Sequence, residues 1–349
     1  MKEGKERGTK MEKILGNAIP STRFILFTGA GFTRNFGGYL ARDMWAEIQL
    51  GLPDKYCGIL KEIKREFNYE RLFQTVMKGV DYTKEEKVAF NKCVLDVYKN
   101  MDEDIRNSVS NNTKLNFSIN GIRSLLNRFV EEGNRSKSTS FFFTLNQDIY
   151  IERQFYNILT TLCVKTNDGI RSMGGKMQFQ DYFSVVKKED ELEKELKALT
   201  WGHERFRYVK LHGSFNWKDS DGNETMVIGT SKEEDIENEP ILNWYKDLFE
   251  NVLSIRDSRL LIIGYGFGDP HINRSILKSI NKKNLRLYII SPTEPEDFRN
   301  RTLKNIGCVE DEDRLWNATK YYPYSFEKLF PLNGNSREYQ KLIKQFFES

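Results

Sequence analysis

The chain lacks any cysteine framework. Its four cysteines, Cys57, Cys93, Cys163 and Cys308, stand isolated with no Cys-x-x-Cys pair. That spacing excludes a disulfide-stapled scaffold and a zinc ribbon, and it fits a reducing, cytoplasmic compartment. No run of about 18 apolar residues occurs, so no membrane-spanning helix is expected. The opening residues, Met1 to Lys13, are rich in lysine and lack the apolar stretch of a secretory signal; residues 1–20 read as a flexible arm. Nor is there an excess of one charge. The 54 basic and 50 acidic residues leave a net +4, so direct nucleic-acid binding is not indicated. No internal repeat is visible.

What is present is a set of short polar segments, each placed directly after an apolar run. Phe24-Ile25-Leu26-Phe27 leads into Gly29-Ala30-Gly31-Phe32-Thr33, and Phe141-Phe142-Phe143 into Thr144-Leu145-Asn146-Gln147-Asp148. Tyr208-Val209-Lys210-Leu211 leads into His212-Gly213, and Leu260-Leu261-Ile262-Ile263 into Gly264-Tyr265-Gly266-Phe267-Gly268-Asp269. Apolar runs of this length read as buried parallel strands. Polar groups just past such strands stand at the carboxyl edge, where open α/β sheets bind ligands. A glycine turn between strand and helix lets backbone N–H groups approach a phosphate at the positive end of the helix. Arg34 stands where a hydride-transferring dinucleotide fingerprint would carry its third glycine, which disfavours a Rossmann dehydrogenase. The fold class expected is α/β: a Rossmann-like, mostly parallel sheet flanked by helices.

Between the first two segments, apolar residues recur at helical spacing, as in Tyr69, Leu72, Phe73 and Val76, predicting a helical insertion at about 52–135. Residues 161–176 read as a glycine-rich loop, and 187–197 as a solvated charged helix face. Strands are expected at 206–216, carrying His212, and at 285–290, ending at Ser291 in a position suited to an adenosine ribose. Asp269 before Pro270 reads as a helix N-cap rather than a catalyst. His271 and Asn273, in the first turn of that helix, have ligand contact, solvent-facing or structural roles open to them. His203, nine residues before His212, stands in no ligand-like spacing, and no metal site is expected.

Taken in order, the four segments resemble the sirtuin-like superfamily, in a divergent bacterial branch that hydrolyses NAD and lacks the zinc module of the deacylases. The resemblance spans roughly residues 21–295, and 21–349 is expected to form one NAD-binding domain. It implies that Gly29, Ala30, Gly31, Phe32 and Thr33 hold the pyrophosphate and nicotinamide side. It places Asn146 and Asp148 near the nicotinamide ribose, His212 as the catalytic histidine, and Gly264, Tyr265, Gly266 and Ser291 against the adenosine half. The implied reaction is hydrolysis of NAD to nicotinamide and ADP-ribose, with NAD as substrate and no metal. A protein deacylase, an ADP-ribosyltransferase and a non-catalytic subunit sensing NAD or ADP-ribose are the alternatives. The branch implies an antiphage effector. About 50 residues follow the last segment, too few for a sensor domain, so restraint is expected from a homo-oligomer or from a HerA-type hexameric ATPase in trans.

Overall fold

The computed structural model describes residues 24–110, 115–155, 157–161, 164–166, 183–185, 206–218, 224–334 and 336–348. The expected arm at 1–20, the loop around Asn167-Asp168-Gly169 and Gly174-Gly175, the charged run 187–197 and His203 lie outside these residues.

Seven strands form the main sheet: β1 (Phe24–Thr28), β2 (Phe141–Thr144), β3 (Leu159–Thr161), β6 (Phe206–Lys210), β9 (Arg259–Ile263), β10 (Arg286–Ile290) and β11 (Thr319–Tyr322). Their order is β11-β10-β9-β1-β2-β6-β3. Every neighbouring pair is parallel. A parallel sheet needs crossover helices on its faces, so its strands are apolar on both sides. Alternate residues of β1 divide accordingly. Phe24 and Leu26 join one core, with Phe142, Tyr208, Leu261 and Tyr288. Ile25 and Phe27 join the other, with Phe143, Val209, Leu260 and Ile289.

Between β1 and β2 run α1 (Ala30–Arg34), α2 (Ala41–Gly51), α3 (Cys57–Ile63), α4 (Tyr69–Lys78), α5 (Lys84–Ser110) and α6 (Ile119–Ser136). α6 lies on the sheet itself, where Phe129 stacks on Phe206 at 4.8 Å between ring centroids. The helices before it extend the same core past the carboxyl edge. α7 (Tyr150–Phe155) follows β2, and the opposite face carries α8 (Lys232–Asn238), α9 (Pro240–Leu253), α10 (Pro270–Lys283), α11 (Pro295–Ile306) and α12 (Val309–Asn317). Two last helices, α13 (Phe326–Leu329) and α14 (Arg337–Phe347), return to the first face. There Phe346 and Phe347 pack on Phe24 and Phe129.

The strand expected at 206–216 is two strands. β6 ends at Lys210, and β7 (Gly213–Lys218) starts a second sheet, in which it pairs with β5 (Phe183–Val185) and β8 (Glu224–Met226), with β4 (Val164–Thr166) beyond β5. Gly213 makes the break possible. Its φ is +73°, and a Cβ there would lie 2.1 Å from the Thr225 carbonyl oxygen, a conformation and an approach open only to glycine. His212 therefore sits in a tight turn at the carboxyl edge. Among the described residues, no helix is long and apolar enough to cross a membrane.

Candidate active site

β1, β2 and β6 step to one side of the sheet in chain order while β9, β10 and β11 step to the other, so the strand order reverses between β1 and β9. Such a switch point opens a crevice outside the carboxyl ends. A cavity of about 660 Å³ occupies it, floored by the segments after β1, β2, β6, β9 and β10 and roofed by residues of α2, α4 and α5 such as Met44, Tyr69 and Met101. That volume suits a cofactor-sized ligand.

The two glycine turns lock together. Gly31 N–H donates to the Gly264 carbonyl at 2.9 Å, and Gly29 N–H to that of Ile263 at 3.2 Å. Gly264 has φ +69°, and a Cβ on it would lie 2.1 Å from the Phe32 nitrogen. These glycines thus serve the approach of β9 to β1, and the Gly31 amide is committed to protein rather than free for phosphate. Gly29, Ala30, Gly31, Thr33, Gly264, Tyr265, Gly266 and Ser291 all line the cavity. Phe32 does not. One helical turn directs its ring inward, against Phe36 and Phe326.

Asn146, Asp148 and His212 line the same cavity. Asn146 donates from Nδ2 to Thr33 Oγ1 at 3.3 Å, and its N–H donates to Thr144 Oγ1 at 3.1 Å. Asp148 Oδ1 accepts from the Tyr150 N–H at 3.1 Å, so it caps α7 as well as facing the cavity. Burial pushes its carboxyl up to about 6, against the pull of Lys210. Lys210 donates to the Asp148 carbonyl and to Glu152 Oε1 at 2.8 Å. Between the two functional side chains, Gln147 accepts from the Tyr98 hydroxyl and donates to the Val227 carbonyl at 2.6 Å. The loop after β2 is fixed from three sides.

His212 Nε2 lies 3.3 Å from His271 Nε2, and both rings are buried. Burial, reinforced by the nearby Lys232 ammonium, holds His212 down at about 3, so it is a neutral imidazole in the free site. Burial likewise lowers His271. Asp269 occupies the N-cap position of α10, yet its side chain makes no cap hydrogen bond. Instead it pairs with Lys232 Nζ at 2.8 Å, and Glu70 Oε1 takes the same ammonium at 2.7 Å. Burial works to raise Asp269, but the Lys232 ammonium outweighs it and holds the carboxyl below its ordinary value. The cap expectation is therefore right about the position and wrong about the carboxylate. Of the two first-turn residues, His271 reaches His212, whereas Asn273 holds the Tyr265 hydroxyl at 2.9 Å and the Phe267 carbonyl at 2.9 Å.

His212, Asp269 and His271 each bring one ligand atom within 4.8 Å of the others, a donor set suited to a transition metal. The Lys232 ammonium already neutralises the only carboxylate in that set, so the protein supplies the cation from its own chain. Sequence reasoning missed Lys232 and Glu70. Lys232 sits in the charged stretch Ser231-Lys232-Glu233-Glu234-Asp235, which carries the signature of a solvated helix, and Glu70 has no local signal at all.

Residues 140–320, a little over half of the chain, match the family described as SIR2-like domain. The matched stretch takes in Asn146, Asp148, His212 and the Gly264 turn and begins after the first glycine turn. No curated protein matches the chain.

Proposed function

The chain belongs to the SIR2-like domain family, whose members use NAD, and from its site we propose that it hydrolyses NAD to nicotinamide and ADP-ribose. The observation that carries this reading is the meeting of a neutral buried histidine, an asparagine and a carboxylate on one wall of a single cavity. Cleavage of the nicotinamide–ribose bond sends its electron pair to the pyridinium nitrogen, so the leaving group departs neutral and needs no acid. Positive charge develops on the ribose instead, and a fixed carboxylate or carbonyl dipole in a water-poor site stabilises it. Asp148 and the Asn146 carbonyl supply that field. His212, a neutral imidazole in the free site, accepts a hydrogen bond from a ribose hydroxyl or from the attacking water and so orients it. The hydrogen bonds to Thr33, Thr144 and Tyr150 hold these groups in place before substrate arrives.

The resemblance of the motif set supports two further proposals. The activity depletes NAD in bacterial antiphage defence, and the chain works as a homo-oligomer with a HerA-type hexameric ATPase. The test is to incubate the chain, with and without a co-purifying ATPase, with NAD labelled in its adenylate phosphate. Free labelled ADP-ribose equal to the nicotinamide released supports hydrolysis. Label retained on protein identifies a transferase, label on an acylated ADP-ribose a deacylase, and binding without turnover in either condition a sensing subunit; each of these refutes the hydrolase.

A further inference from the structure

α11 brings Phe298, Arg301 and Asn305 onto one face at spacings of three and four residues, so all three line the cavity beyond Ser291. Asn305 Nδ2 donates to the Gly266 carbonyl at 2.7 Å and ties the helix to the glycine turn. Arg301 donates to Thr293 Oγ1 at 3.1 Å, and its guanidinium carbon lies 5.7 Å from the centre of the Phe298 ring. Thr293 is itself fixed, its carbonyl accepting from the Tyr321 hydroxyl at 2.7 Å. Two arginines line the cavity. Arg34 is neutralised by Asp43 at 2.9 Å, whereas Arg301 has no carboxylate partner among the described residues. Of the carboxylates that line the cavity, Glu70 and Asp269 are taken up by Lys232, and Asp148 faces Lys210 and the Tyr150 N–H. Glu294 is exposed and outside the lining.

A site that selects an unphosphorylated adenosine ribose sets a carboxylate on its 2′-hydroxyl, and one that takes a 2′-phosphate sets an arginine there. We propose that the adenosine end is built for a 2′-phosphate and that NADP is a substrate alongside NAD, with Arg301 as the specificity-determining residue. This rests on the NAD-site reading above. The reaction is unchanged at the reacting end. The nicotinamide–ribose bond breaks with its electron pair to the pyridine nitrogen, water adds to the ribose carbon, and nicotinamide, 2′-phospho-ADP-ribose and a proton leave. Ser291 and Thr293 add hydroxyl donors beside the guanidinium, and Arg301 gives the fork geometry that phosphate oxygens accept.

The test measures kcat/KM for NAD and NADP by nicotinamide release, with the full chain and any co-purifying ATPase, for wild type and Arg301→Ala. In parallel, calorimetry compares binding of ADP-ribose with that of 2′-phospho-ADP-ribose. The wild type should use NADP at least as well as NAD, and Arg301→Ala should lower the NADP-to-NAD ratio about tenfold or more, the size of a lost charge-assisted hydrogen bond. Wild-type preference for NAD by about tenfold, or equal losses on both substrates, overturns the proposal while leaving NAD hydrolysis standing. If neither substrate turns over, the hydrolase reading fails on its own. Calorimetry then still decides this one: a 2′-phosphate preference abolished by Arg301→Ala upholds it, and no preference overturns it.

Discussion

Replacing Lys232 with methionine should destabilise the fold by about 3–5 kcal/mol, the cost of leaving buried partners of an ion pair uncompensated. Lys232 joins three parts of the chain, Glu70 on α4, its own helix α8 and Asp269 at the start of α10, through contacts of 2.7 and 2.8 Å. At an effective dielectric of about 20, each contact amounts to about 6 kcal/mol of gross attraction, most of it offset by desolvation of the groups. The Asp269 pair carries most of the net value, because side-chain exposure is 11% for Lys232 and 14% for Asp269 but 30% for Glu70. Urea unfolding of Lys232→Met, Asp269→Asn and the double variant reads the coupling. The double variant should recover at least about 1 kcal/mol relative to additivity. The sign with pH follows from Asp269. In the wild type its carboxyl is held low, so its stabilisation is present above the unfolded value and lost as pH falls. Without Lys232, burial dominates and raises it, so the deficit should shrink as the solution is acidified. A loss below about 1 kcal/mol, or strict additivity, would mean that the Lys232–Asp269 pair adds nothing to the fold.

Three other outcomes follow from the same geometry. Because burial lifts Asp148 to about 6, the rate at saturating NAD should fall as pH drops below about 6, and this limb should vanish in Asp148→Asn, whose residual rate is pH-independent there; a limb that persists excludes Asp148 as its source. Asp148 has a raised value, so its contribution to stability fades as pH rises through about 6; His212, held at about 3, loses its contribution as pH falls below its ordinary 6.5. Unfolding curves of Asp148→Asn should therefore lose about 1 kcal/mol more than wild type between about pH 7.5 and 5.5. Gly264→Ala, with φ +69° and a Cβ 2.1 Å from the Phe32 nitrogen, should cost more than about 2 kcal/mol in the same assay, and a near-neutral result would mean that the two glycine turns separate easily.

Strand-end segments are legible in the sequence because their signal is local. An apolar run followed by glycine or by Asn and Asp marks both the strand and the edge where it stops, which is why Asn146, Asp148, His212 and the Gly264 turn stand out from sequence alone. Long-range electrostatics leave no such trace. Lys232 is 162 residues from Glu70 and 37 from Asp269, and its own neighbours suggest solvent. Asp269 shows the consequence: the Asp-Pro pair marks a helix start correctly, yet a distant ammonium decides where the carboxylate points. Phe32 shows a different limit, because a motif names a stretch of chain while helix geometry turns this ring inward and leaves Thr33 on the cavity. The break of β6 at His212 is likewise hidden until the partner of Gly213, the Thr225 carbonyl in the second sheet, is known.

Nicotinamide release from NAD under single-turnover conditions, compared between the wild type, Asn146→Ala and His212→Ala, decides whether this wall of the cavity carries the chemistry. Wild-type release that falls about 100-fold or more in each variant, equivalent to about 3 kcal/mol of transition-state stabilisation, is the expected outcome. Release that continues unchanged in either variant would contradict it and move the chemistry away from this wall of the cavity.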